Sequence, residues 1–185
     1  RCGYINPDQT TFDFLEGLER VPSGHDFEAA CEKWKTYASD FDAAYDDEVL
    51  IKAGDIKPTV TWGVTPAQAI SIEENIPSPK NSEGLDKSLI SDALNYMKLN
   101  PDEPIKGVKI DVAFIGSCTN GRLSDFREVA AVLKGKTVSK SVRAIAVPGS
   151  EKVDKAARDE GLNKIFEEAG FEWRKPGCSM CLAMN

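Results

Sequence analysis

No stretch of this sequence approaches the roughly 20 apolar residues that a membrane span requires. The opening RCGYINPDQTTF lacks the charged-then-apolar layout of a signal peptide, so a cytoplasmic location is expected. Lys/Arg-rich runs are absent and the formal charge is −7, which argues against nucleic acid or an anionic membrane as the main partner. Cysteine is scarce. Five thiols in 185 residues are too few and too unevenly placed for a disulfide framework, and an odd number leaves one over. There is no internal repeat and no low-complexity tract. What remains is 41% hydrophobic and 29% charged, a balance that can bury the core of one large domain or two small ones. The chain starts at Arg1 and stops at Asn185, shortly after its last cysteine, and reads as part of a longer protein.

The periodicities divide the chain in two. Residues 10–18 predict a short helix with Thr10 or Thr11 as its cap. From Asp26 onward, Phe27, Ala30, Cys31, Trp34 and Ala38 fall on one helical stripe, where Cys31 reads as a small buried hydrophobe. Short β-branched or apolar runs at 48–52, 58–63 and 68–73 predict strands separated by Gly and Pro. The stretch 76–86 concentrates Pro, Ser, Gly and Asn, and places a division between residues 1–76 and 77–185. Beyond it the elements alternate. A helix near 85–98 carries Leu85, Leu89, Ile90, Ala93 and Met97, followed by a strand at 109–115 and a helix near 123–134 with Leu123, Phe126, Ala130 and Leu133. A strand at 142–147, helices near 151–160 and 162–169, and a last strand FEWR complete the series. This order predicts an α/β fold with a largely parallel sheet, preceded by a smaller mixed α/β segment. Ligand sites in such folds form beyond the carboxyl ends of the strands.

Two cysteine motifs stand at such ends. Cys118, in GSCTNG, follows the apolar strand DVAFI and precedes a helix, where nearby helix-terminal N–H groups favour a thiolate. Cys178 and Cys181 form a C-x-x-C in PGCSMC after the last predicted strand. A lone C-x-x-C serves zinc, redox dithiols and iron–sulfur clusters alike. Structural zinc usually needs four ligands, and only Cys2, Cys31 and His25 remain to supply the fourth. A thioredoxin-like dithiol would be followed by a helix, for which little chain remains. Three thiolates suit a 4Fe-4S cluster whose fourth iron lacks a protein ligand and can bind a substrate hydroxyl and carboxylate.

The stretches DVAFIGSCTNGRLSDFREVAAVLKGK, VRAIAVPGSEKV and GLNKIFEEAGFEWRKPGCSMCLAMN resemble the cluster domain of the aconitase superfamily. The form GCSMCLAMN is more similar to the bacterial isopropylmalate dehydratase large-subunit family than to aconitase or homoaconitase, and NPDQTTFDFLEG and PTVTWGVTPAQAISIEENIPSP extend that likeness over nearly the whole chain. The resemblance implies a layered α/β/α aconitase-like domain, with Cys118, Cys178 and Cys181 as the three cluster ligands. It implies interconversion of 2-isopropylmalate and 3-isopropylmalate by dehydration and rehydration, in leucine biosynthesis, with a separate small subunit completing the active site. It further implies that the histidine and acidic residues assisting proton and hydroxide transfer lie before Arg1, that an Asn/Arg-bearing substrate segment lies beyond Asn185, and that the alkoxide base is on the small subunit. No catalytic residue is then expected within these 185 residues, which alone would lack turnover. A structural zinc module and a cluster-free scaffold that docks the small subunit are the alternatives.

Other residues carry weaker signals. Asn120 could donate to a cluster sulfur or a substrate oxygen, or cap a helix, and Thr119 has the same ambiguity. Ser150 in PGS reads as a helix cap more readily than as part of an anion cradle. Arg143 and Arg174 could attract a small dicarboxylate, His25 reads as a solvated or capping residue, and Trp62 as core.

Overall fold

The structure is a computed structural model that describes residues 3–81 and 86–180. By packing, the chain forms two compact units, Arg1–Ile56 and Lys57–Asn185.

The first unit holds two helices, α1 (Gln9–Leu15) and α2 (His25–Lys35). The cap of α1 is Asp8 rather than Thr10 or Thr11. Its carboxylate accepts from the Thr11 amide at 3.0 Å, and that amide and the Thr11 hydroxyl hold the Asp8 carboxyl below its ordinary value. Phe12 is buried and its ring lies 6.2 Å from that of Trp34, which meets Phe27 edge-on at 6.0 Å. The expected stripe on α2 is present but only half-buried, and so is Cys31. The strand expected at 48–52 does not form. Val49, Leu50 and Ile51 are irregular and 77%, 89% and 67% exposed. A strand needs a neighbour to take its N–H and C=O groups, and this unit's described residues contain no other strand.

The second unit opens with an antiparallel hairpin, β1 (Thr59–Thr61) and β2 (Ala69–Ser71), with Val60 opposite Ile70. Helix α3 (Lys87–Met97) follows, capped by Asp86, whose carboxylate accepts from the Ser88 amide at 2.8 Å. Trp62 and Ile76 pack with Ile90, Ala93 and Leu94 of α3 and with Ile105 in one apolar cluster. The hairpin is thereby tied to α3 across the Pro- and Ser-rich stretch. Packing divides the chain at Ile56–Lys57, ahead of the division that composition suggests at 76–77. The buried face of α3 runs through Ile90 and Ala93, both in the expected stripe, and Leu94, which takes the place expected of Leu89 and Met97. Leu89 and Met97 are accordingly 61% and 40% exposed, and Leu85 lies outside the described residues.

The parallel sheet follows as expected. Strands β3 (Val112–Gly116), β4 (Arg143–Val147) and β5 (Phe171–Trp173) lie in that order, with Gly116 beside Val147 and Ala146 beside Trp173. Ala144 and Ala146 of β4 face a core made by α5 (Leu123–Leu133), α6 (Glu151–Asp159) and α7 (Leu162–Glu168). Phe126 and Phe166 are fully buried there, 5.5 Å apart, with the Trp173 ring tilted against Phe126 at 5.0 Å. Ile145 and Val147 point to the opposite face and are equally buried, as expected for the middle strand of a layered α/β unit. Among the described residues, no helix is long and apolar enough to cross a membrane.

Candidate functional site

The carboxyl ends of the three parallel strands bring three loops together. At the end of β3 the backbone of Gly116 takes φ +119°, and a Cβ there would lie 2.0 Å from the Val147 carbonyl oxygen. Only glycine lets β3 and β4 approach so closely. Ser117 follows at φ +66°, an uncommon conformation for a residue with a side chain, and it is 3% exposed. It opens the short helix α4 (Ser117–Asn120), which turns Cys118 outward, with the Thr119 hydroxyl 3.9 Å from its sulfur. Gly121 fits where a Cβ would fall 2.3 Å from the Ser117 carbonyl oxygen. The Gly149 amide of the loop after β4 donates to the Gly121 carbonyl at 2.9 Å, joining those two loops.

The loop after β5 reaches the same place. The Arg174 amide donates to Ala146 at 2.9 Å, and the Trp173 indole N–H donates to the Asp154 carboxylate on α6 at 2.7 Å, fixing the end of the strand. The chain then turns through Pro176 and Gly177 so that Cys178 is exposed and Ser179 buried. The Ser117 hydroxyl donates to the Gly177 carbonyl at 3.5 Å, a weak bond longer than an ordinary O–H···O one, and the loop of Cys118 and the loop of Cys178 touch there. A pocket of about 450 Å³ opens over residues 114–120. Cys118 and Cys178 are both free thiols. Cys181 lies outside the described residues, among which no group of three or more His, Cys, Asp or Glu side chains could hold a metal ion.

The weaker signals resolve individually. Asn120 is exposed at the end of α4 and does not cap α5, whose first turn is closed by the Asp125 carboxylate accepting from the Arg122 amide at 2.9 Å. Ser150 is a cap, its hydroxyl accepting from the Val153 amide at 3.2 Å. Arg143 and Arg174 both pair with Glu172, at 2.7 Å and 2.9 Å. The two guanidinium groups, Arg143 foremost, hold the Glu172 carboxyl down at about 2, and the same contact raises Arg143. His25 lies in the first turn of α2, exposed, 3.4 Å from Glu28. Trp62 is 1% exposed and belongs to the core. The Pro-Gly before Cys178 reads as a tight turn in the sequence, and the structure has that bend at Pro176 and Gly177, whereas Ser117 is not singled out by the sequence. Nor does the sequence single out an apolar hollow of about 550 Å³ between the hairpin and α3, bordered by Trp62, Ile90 and Tyr96.

Thiolates are soft donors, and exposed free thiols on touching loops beyond a parallel sheet have the donor chemistry an iron–sulfur cluster uses. Residues 1–185 match the aconitase family (aconitate hydratase) throughout. The chain belongs to the aconitase family. Aconitase-family proteins carry a 4Fe-4S cluster. Within the family, the chain is 57% identical over all 185 residues to a 3-isopropylmalate dehydratase large subunit of Prochlorococcus marinus (strain NATL1A), covering 39% of that protein. It is 57% identical over 185 residues to the same-named protein of Trichormus variabilis, covering 40% of it, and 58% identical over 186 aligned residues to that of Sorangium cellulosum, again covering 40%. The chain thus spans about two fifths of the length of the curated relatives it matches.

Proposed function

We propose that this aconitase-family chain is part of the large subunit of an isopropylmalate dehydratase, a cytoplasmic hydro-lyase that interconverts 2-isopropylmalate and 3-isopropylmalate by removing and returning water. The observation that carries the reading is identity above one half along the whole chain to proteins of that name. The meeting of the two cysteine loops at the carboxyl edge of the sheet supports it.

In this reading Cys118, Cys178 and Cys181 hold a 4Fe-4S cluster, and residues 77–185 form the cluster-bearing part, with 1–76 belonging to the segment before it. A cluster with one iron free of protein ligands supplies a Lewis acid for a substrate hydroxyl and carboxylate. The chain's own residues anchor and orient. Gly116 permits the close approach of β3 and β4 that brings the Cys118 loop to the sheet edge, and Asn120 is proposed to donate a hydrogen bond to a cluster sulfur or a substrate oxygen. Arg143 and Arg174 neutralise Glu172 and are not assigned to substrate. The acid–base groups are assigned to the remainder of the longer protein and to a small subunit. The test is an anaerobic assay of the full-length protein with its small subunit on isopropylmalate, citraconate and homoaconitate. Turnover of isopropylmalate above the other two is expected, and a preference for homoaconitate would overturn the substrate assignment.

A further inference from the structure

We propose that Ser117 is a positioning residue, its hydroxyl holding the loop of Cys118 in register with the loop of Cys178 so that the thiols are set before a cluster binds. This rests on the cluster reading above. The first observation is conformational. The loop uses glycine at 116 and 121, where a Cβ would lie 2.0 Å and 2.3 Å from backbone oxygens, yet it places a serine at φ +66°, a conformation glycine adopts far more easily. Something other than backbone shape therefore accounts for the side chain at 117.

The second observation is where that side chain goes. Ser117 is 3% exposed and directed inward, and its hydroxyl donates to the Gly177 carbonyl, the residue immediately before Cys178, across 60 positions of sequence. Among the described residues this is the side-chain hydrogen bond that joins the two cysteine loops. The loop after β4 is joined to the first loop by backbone alone, through Gly149 and Gly121. Ser117 is adjacent to one thiol and, at 3.5 Å, hydrogen-bonded to the neighbour of another, so its hydroxyl couples the positions of the two loops. Groups that orient ligands without touching the metal govern affinity because they remove the cost of ordering those ligands at binding.

The roles of backbone and hydroxyl separate cleanly. Ser117→Gly relieves the left-handed conformation while deleting the hydroxyl, whereas Ser117→Ala keeps the conformation and deletes the hydroxyl. The experiment uses the full-length protein as wild type, both variants and Cys118→Ser, each loaded anaerobically with iron and sulfide. It reads the rate at which a chelator bleaches the visible cluster band, together with hydrogen exchange over residues 175–180 and the thermal midpoint of the unloaded forms. Both Ser117 variants should lose the cluster at least about tenfold faster than wild type and exchange faster over 175–180. Ser117→Gly should meanwhile unfold at or above the wild-type temperature. A Ser117→Gly protein that keeps its cluster and its 175–180 protection as wild type does would overturn the proposal. Should wild type and Cys118→Ser alike take up no cluster, the cluster reading fails, and the exchange data on unloaded protein still decide whether Ser117 holds the second loop.

Discussion

At Gly116 a single methyl group decides whether the site exists. A Cβ would meet the Val147 carbonyl at 2.0 Å in a conformation of φ +119°, so overlap with a fixed backbone atom adds to strain. Gly116→Ala should destabilise the protein by about 2–4 kcal/mol in denaturant unfolding. Gly135→Ala is the matched control. It has a similarly left-handed φ of +72° but no atom within 4 Å, and conformation alone should cost it about 1 kcal/mol. Equal losses in the two variants would show that the β3–β4 approach is not as close as described. Glu172 gives a prediction in pH. Its folded-state value, about 2 against an ordinary 4.5, is depressed, so its contribution to stability is present above 4.5 and is lost as pH falls from there towards 2. Between those limits the thermal midpoint of wild type should fall more steeply than that of Glu172→Gln. Because the pair is substantially exposed, raised salt should shrink the difference.

Among the elements, α5 and α7 clamp the sheet that carries the loops. Phe126 and Phe166 are fully buried against each other and against Trp173, the last residue of β5. Phe166→Ala should cost about 3–5 kcal/mol, seen as a lowered denaturant midpoint with unchanged slope. Most of this region is legible in the sequence, because β3 and β4 are apolar runs bounded by Gly or Pro and the helices carry clear stripes. The placing of Cys118 beyond a strand follows directly from that pattern. Elsewhere pattern misleads for identifiable reasons. Residues 48–52 have strand composition but no partner strand in their unit, and propensity cannot supply one. On α3, Leu89 and Ile90 are equally apolar, so the sequence does not say which faces Trp62. The meeting of Ser117 with Gly177 is a tertiary event between residues 60 apart, and nothing local announces it.

On the scale of the whole molecule, the 185 residues amount to about two fifths of the length of their relatives, and the proposed reading assigns the acid–base groups to residues outside them. The separate 185-residue polypeptide should therefore show no isopropylmalate turnover even when supplied with a small subunit, while the full-length protein with that subunit should turn over. Measurable activity from the shorter polypeptide would place the missing groups within it. The central claim, that Cys118, Cys178 and Cys181 together hold a cluster, is tested most directly by iron and acid-labile sulfide content after anaerobic reconstitution of the full-length protein. Wild type should contain about four of each per chain, and Cys→Ser at 118, 178 or 181 should each abolish most of both. Zinc without sulfide in wild type, or a full complement of iron and sulfide in any of the three variants, would contradict it.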